Sequence, residues 1–103
     1  MKKLQNKVKA FCEENSMLLS PELRMLDLIS ELGEFSKEIL KSNNYGKEEI
    51  KSNEDLELEL GDTFFSLIAT ANSLDIDMKS ALEKVLVKYE KRLEKGSAGS
   101  END

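Results

Sequence analysis

Ser20 to Lys41 reads SPELRMLDLISELGEFSKEILK, and its punctuation is that of a helix. Ser20 is a good N-cap, Pro21 stands at the first helical position where a missing N–H costs nothing, and Glu22 adds negative charge to the first turn. Leu26, Ile29, Leu32, Phe35, Ile39 and Leu40 recur at helical spacing and form an apolar stripe. Asp27, Glu31, Glu34 and Glu38 fall at i, i+4, i+7 and i+11, so a continuous acidic stripe runs beside the apolar one. The segment is therefore predicted to be a helix over 21–41 with an acid edge bordering its buried side.

The flanking sequence repeats this logic. From Lys3 to Glu14, Leu4, Val8, Phe11 and Cys12 share one helical face, so Cys12 reads as a packed thiol. SMLLSP connects this helix to the next, and KSNNYGKEEIKSN (41–53), polar and holding Gly46, reads as a loop. A third helix is expected from about Glu54 to Leu74. Its apolar residues, among them Leu56, Leu60, Phe64, Leu67 and Ile68, cover more than one face, as in a helix central to a bundle or to an oligomer interface. After SLDID, Asp77 caps a fourth helix running from Met78 to about Lys95. Ala81, Leu82, Val85, Leu86, Tyr89 and Leu93 form its expected buried stripe, and Gly96 ends it. No segment reads as a strand. The expected fold is all-α and four-helix bundle-like, one domain over 1–95 with a flexible tail over 96–103.

Composition narrows the chemistry. The 103 residues suit one small domain. There is no histidine, which removes Ser-His-Asp and Cys-His machinery and His-ligated zinc. The single cysteine excludes an intrachain disulfide and fits a reducing compartment. A formal charge of −6 argues against nucleic-acid binding. MKKLQNKVKAFCEENS has no apolar signal-peptide core, and the longest uncharged run, TFFSLIATANSL (63–74), falls short of the about 20 residues a membrane helix needs. The expected setting is the cytoplasm, without membrane contact.

Chemistry is left to carboxylates, Lys, Arg, hydroxyls and a hard cation. The third helix has its own acid stripe, Asp55, Glu59 and Asp62 at i, i+4 and i+7. ELGE (31–34) and ELGD (59–62) thus present near-identical acid pairs from two helices, each with a glycine beside them that permits close approach of another group. Solvated helix faces are the plainer explanation, but lysine partners at i+4 are nearly lacking and both stripes border apolar residues. Packed helices lie about 8–10 Å apart, so these carboxylates can meet. Two such charges at ~4 Å repel by roughly 4 kcal/mol at an effective dielectric of ~20. A hard divalent ion with oxygen ligands resolves the repulsion and suits water attack at phosphorus. On the fourth helix Lys84, Lys88 and Arg92 repeat at i, i+4 and i+8, either an ordinary basic face or a phosphate-contacting rim.

These motifs resemble the MazG-like, all-α nucleotide pyrophosphohydrolases, whose pattern is E-E-x-x-E, a spacer, then E-x-x-D. SELGE and ELGD match its halves across a 24-residue spacer, KYEKR resembles a downstream K-x-x-x-R at Lys88 and Arg92, and the likeness runs from about Leu23 to Leu93. The resemblance implies Mg²⁺-dependent hydrolysis of a (d)NTP to the monophosphate and pyrophosphate, with Mn²⁺ as a substitute. It implies Glu31, Glu34, Glu59 and Asp62 as metal ligands, and Glu34, Glu31 or Glu38 as the group that orients or deprotonates the water. It also implies a homodimer or homotetramer with sites near the interfaces.

Ser30 stands where the pattern has its first glutamate, which keeps open a degenerate relative that binds nucleotide or metal in a regulatory role. A helical interaction module with solvated acids is the third reading. For the base, Phe35, Tyr45 and Tyr89 are stacking candidates, with simple packing as their alternative.

Overall fold

The computed structural model describes residues 1–96 and is entirely helical among them. The helices are α1 (Lys2–Glu14), α2 (Pro21–Ser42), α3 (Glu54–Ser73) and α4 (Met78–Glu94). The tail expected over 96–103 lies, apart from Gly96, outside the described residues.

Local chemistry explains the boundaries. Ser20 Oγ accepts from the Leu23 N–H, Asn53 Oδ1 from Leu56 and Asp77 Oδ1 from Ser80, so α2, α3 and α4 each start on a side-chain cap. The first three helices end alike. Met17 N–H bonds to Cys12 O, Tyr45 N–H to Leu40 O and Ile76 N–H to Ala71 O, each reaching back five residues. The residue before each donor, Ser16, Asn44 or Asp75, takes a positive φ of 50–54°. This is the Schellman stop. After the last helix it is a glycine, Gly96, that takes the positive φ, 75°.

Helix α3 is central. Arg24 O meets Thr70, Asp27 meets Ser66 and Glu31 O meets Thr63, so α2 runs antiparallel to α3. Gln5 with Asn72 and Phe11 with Phe65 place α1 antiparallel on another side. Ile68, Ala69 and Ala71 are buried there with Leu28 and Cys12, the last as its spacing predicts. Gln5 pins the elbow between α3 and α4. Its amide nitrogen donates to Asn72 Oδ1 (3.0 Å) and Ile76 O (2.8 Å), its amide oxygen accepts from the Met78 N–H (2.9 Å), and its backbone oxygen accepts from Asn72 (2.9 Å).

Two expected buried stripes are corrected. On α2, Leu26, Ile29, Leu32 and Leu40 are exposed, and Arg24 and Leu28 are the buried residues. The helix turns its acid edge toward α3, because Thr63, Ser66 and Thr70 supply hydroxyls along that seam. On α4 nothing is buried: Leu82, Leu86, Tyr89 and Leu93 are all open, because α4 leaves the elbow and packs only marginally on the other helices. The four helices are therefore not closed into a bundle within one chain. The radius of gyration is 16.9 Å, against about 13 Å for a compact domain of this length.

Candidate metal and nucleotide site

The α2–α3 seam draws together acids from both helices. Glu31, Glu59 and Asp62 each offer a carboxylate oxygen, and the three atoms lie within 4.8 Å of one another. The helices can approach this closely because the hydroxyls span the seam. Thr63 Oγ1 donates toward Glu59 O (2.9 Å) and Glu31 O (3.4 Å), one turn from the acids, and Ser66 Oγ donates to Asp27 Oδ2 at 2.7 Å. Thr70 Oγ1 repeats the pattern toward Ser66 O and Arg24 O.

Electrostatics show the strain of gathering acids. Burial, then Asp62, Asp27, Glu59 and Glu34, push the Glu31 carboxyl above its ordinary value. Burial, then Asp62, Glu34, Glu38 and Asp55, do the same to Glu59. Glu59 Oε2 is buried and makes no hydrogen bond among the described residues. A buried carboxylate oxygen without a donor is costly. A hard cation is the partner that fits an all-oxygen donor set. The donor chemistry therefore suits a divalent ion.

The remaining expected site residues are less concentrated. Glu34 is exposed beside the cluster and acts on both Glu31 and Glu59 through its charge. Glu38 is half-buried and pairs with Lys41 at 3.8 Å. Ser30 is exposed. Lys84, Lys88 and Arg92 ride on α4, where the Lys88 ammonium and the Arg92 guanidinium lie 5.6 and 5.3 Å from the Tyr89 ring centre. At Gly33 and Gly61 a Cβ would meet no protein atom within 4 Å, so neither glycine is required by packing within the chain.

Sequence reading passed over the residues that shape the cleft beside the acids. Phe11, Met17, Arg24, Asp27 and Phe65 line it, and Phe35, Tyr45 and Tyr89 do not. Phe11 and Phe65 read as stripe residues in the sequence. Asp27 was visible as the head of the acid stripe, but its bond to Ser66 is a tertiary fact.

This arrangement has known counterparts. The MazG nucleotide pyrophosphohydrolase domain matches residues 19–97. The chain belongs to the MazG nucleotide pyrophosphohydrolase family. Two crystal structures share its fold. The Bacillus-conserved MazG protein, a nucleotide pyrophosphohydrolase, superimposes with a TM-score of 0.72 at 34% identity, covering 85% of this chain and 86% of its own. YPJD from Bacillus subtilis gives 0.74 at 35% identity, covering 89% and 94%. In sequence, YpjD of Bacillus subtilis (strain 168) is 40% identical over 76 residues, 71% of this chain and 67% of that protein. As a MazG-family enzyme, the chain is a hydrolase acting on nucleotide phosphoanhydrides.

Proposed function

We propose that this enzyme cleaves (d)NTPs between the α and β phosphates, in the cytoplasm, giving the monophosphate and pyrophosphate. The observation that carries this reading is the acid cluster of Glu31, Glu59 and Asp62 with its unpartnered Glu59 oxygen. Glu31, Glu34, Glu59 and Asp62 would hold Mg²⁺, for which Mn²⁺ substitutes. When bound, the ion offsets charge on the phosphates and acidifies water. The chain's own part begins with the fixed seam, which presents acids from two helices to one point. Glu34, Glu31 or Glu38 then orients the water and takes its proton. A raised proton affinity, as on Glu31, moves a carboxylate toward the range useful for such a transfer. Lys84, Lys88 and Arg92 would neutralise phosphate oxygens.

Those cations and the open stripes support a further part of the reading: a second copy completes the molecule. The accessible surface is 7883 Å², whereas a compact monomer of this mass exposes about 5,900 Å². The excess exceeds the roughly 800 Å² that each partner buries in a standard interface. Helix α4 packs only marginally on the other helices, so association with another copy is the direct way to bring its cations to phosphates held at the acid cluster.

The test is pyrophosphate release from a (d)NTP panel with Mg²⁺, beside calorimetric Mg²⁺ and Mn²⁺ titration. Glu59→Gln and Asp62→Asn are each expected to weaken metal binding and to lower turnover by more than the roughly 10- to 100-fold that follows loss of a ligand's supporting group. Near-normal turnover in both would sink the site assignment. Inorganic phosphate in place of pyrophosphate would sink the reaction type, and metal binding without turnover in the unaltered protein would leave a binding protein instead.

A further inference from the structure

A cleft of about 520 Å³ opens from the acid cluster toward α1. Glu31, Gly61 and Asp62 form one end of it. At the other end Phe11 and Phe65 stand edge to face, ring centres 6.0 Å apart and planes at 88°. One cleft thus joins a phosphate-type end to an aromatic end, the two needs of a nucleotide. Aromatic faces hold any base by stacking and do not distinguish bases. Discrimination falls to the polar groups that line the cleft beside the rings.

Those groups are Arg24 and Asp27, one turn apart on α2, and both are held in place. The Asp27 carboxylate accepts the Ser66 hydroxyl at 2.7 Å, and Ser66 is 1% exposed. The Arg24 guanidinium, 4% exposed, donates to Met17 O and, at 3.4 Å, to Cys12 Sγ. A carboxylate is an acceptor only, and its two oxygens offer about four sites, of which Ser66 takes one. It accepts from an exocyclic amino group, and it repels the carbonyl oxygen that stands at the same position of the oxo base.

We propose that Asp27 is the specificity-determining residue for the base. The site prefers nucleotides whose base carries an exocyclic amino group over their oxo counterparts: cytosine over uracil, adenine over hypoxanthine. A hydrogen-bonding group that meets the wrong partner loses its bond and keeps its desolvation cost. Arg24, as a fixed donor one turn away, suits a ring nitrogen or carbonyl beside that amino group. The inference rests on the pyrophosphohydrolase reading and gives it a substrate class.

The experiment measures kcat/KM for pyrophosphate release from dCTP, dUTP, ATP and ITP, in the unaltered protein and in Asp27→Asn. The unaltered protein is expected to favour dCTP over dUTP and ATP over ITP by roughly tenfold or more. In Asp27→Asn the preference should collapse or invert, because an amide can donate to the oxo group while its oxygen still accepts from Ser66. An unaltered preference in the variant overturns the proposal. So does an equal loss on all four nucleotides, which would place Asp27 at the phosphate end. Phe11→Leu, with a melting curve to show that α1 stays packed, provides a check at a half-exposed position: its KM should rise about tenfold for all four with kcat little changed. An unaltered KM would remove the base from this cleft. If the unaltered protein releases pyrophosphate from none of the four, the function itself fails, which is a distinct result.

Discussion

The seam between α2 and α3 and the whole of α4 meet the same problem, an amphipathic helix with an apolar side, in opposite ways. At the seam the contact is polar. Thr63, Ser66 and Thr70 hold α3 against Glu31, Asp27 and Arg24 of α2, and Leu26, Ile29, Leu32 and Leu40 of the α2 stripe are left facing outward while Phe35 and Ile39 are half-buried. Helix α4 has the apolar stripe and no partner at all among the described residues beyond marginal contacts. The polar contact made inside the chain is the one that brings Glu31, Glu59 and Asp62 together: the small hydroxyl side chains of α3 bond to backbone and carboxylate oxygens of α2 and let the two helices converge. The apolar stripes need only a partner, and a second copy can supply it.

The sharpest way to break this comparison is to charge the unpartnered side. Leu86 is 50% exposed on α4, so Leu86→Asp should leave α1 to α3 folded while removing association. Size measured by light scattering should fall to that of one chain, and turnover should fall at least tenfold because the α4 cations no longer reach the substrate's phosphates. A variant that stays associated and active would show that α4 has no role between copies.

A smaller effect is expected at the elbow that sets where α4 points. Gln5 satisfies Asn72, Ile76 and Met78 at once. Gln5→Leu strands those groups in a partly buried place, at about 1–3 kcal/mol. For a domain this size that lowers Tm by roughly 4–8 °C per kcal/mol. An unchanged melting temperature would mean that water serves the elbow equally well.

The contrast also explains what could be read in the sequence. All four helices were legible to within one or two residues, because caps and apolar spacing act within a few residues of each other. Ser20 and Asp77 are caught by this local chemistry, as is Gly96. Ser16 and Asp75 are not, since a serine or aspartate at positive φ has no signature comparable to glycine. The convergence of Glu31, Glu59 and Asp62 was legible as repeated acid spacing on two helices. The burial of the stripes was not. An apolar stripe states that a surface wants cover, not whether the same chain provides it. Phe11 and Phe65 do not stand out as cleft residues, because a ring that lines a cleft and a ring in the core look alike in sequence.

The subtlest prediction concerns the acids themselves. Burial, and after it the neighbouring acids, raise the Glu31 and Glu59 carboxyls above their ordinary value of 4.5. Between that value and the raised ones, the folded chain binds more protons than the unfolded chain, so metal-free stability must fall as pH rises through this window. Acidifying the protein in EDTA from neutrality toward that ordinary value should therefore raise Tm, opposite to the usual behaviour of paired carboxylates. Asp77 does not mask the effect. Its carboxyl is lowered from 3.8 chiefly by the Ser80 N–H, so its contribution is present above that value and lost only in more acidic solution. With saturating Mg²⁺ the slope should reverse, because the cation binds only the deprotonated acids and protons then compete with it. Melting curves against pH, with EDTA and with Mg²⁺, measure both signs. A flat or falling Tm on acidification in EDTA would mean that the seam does not crowd its acids, and that the polar contact between α2 and α3 costs the fold no more than the apolar side does.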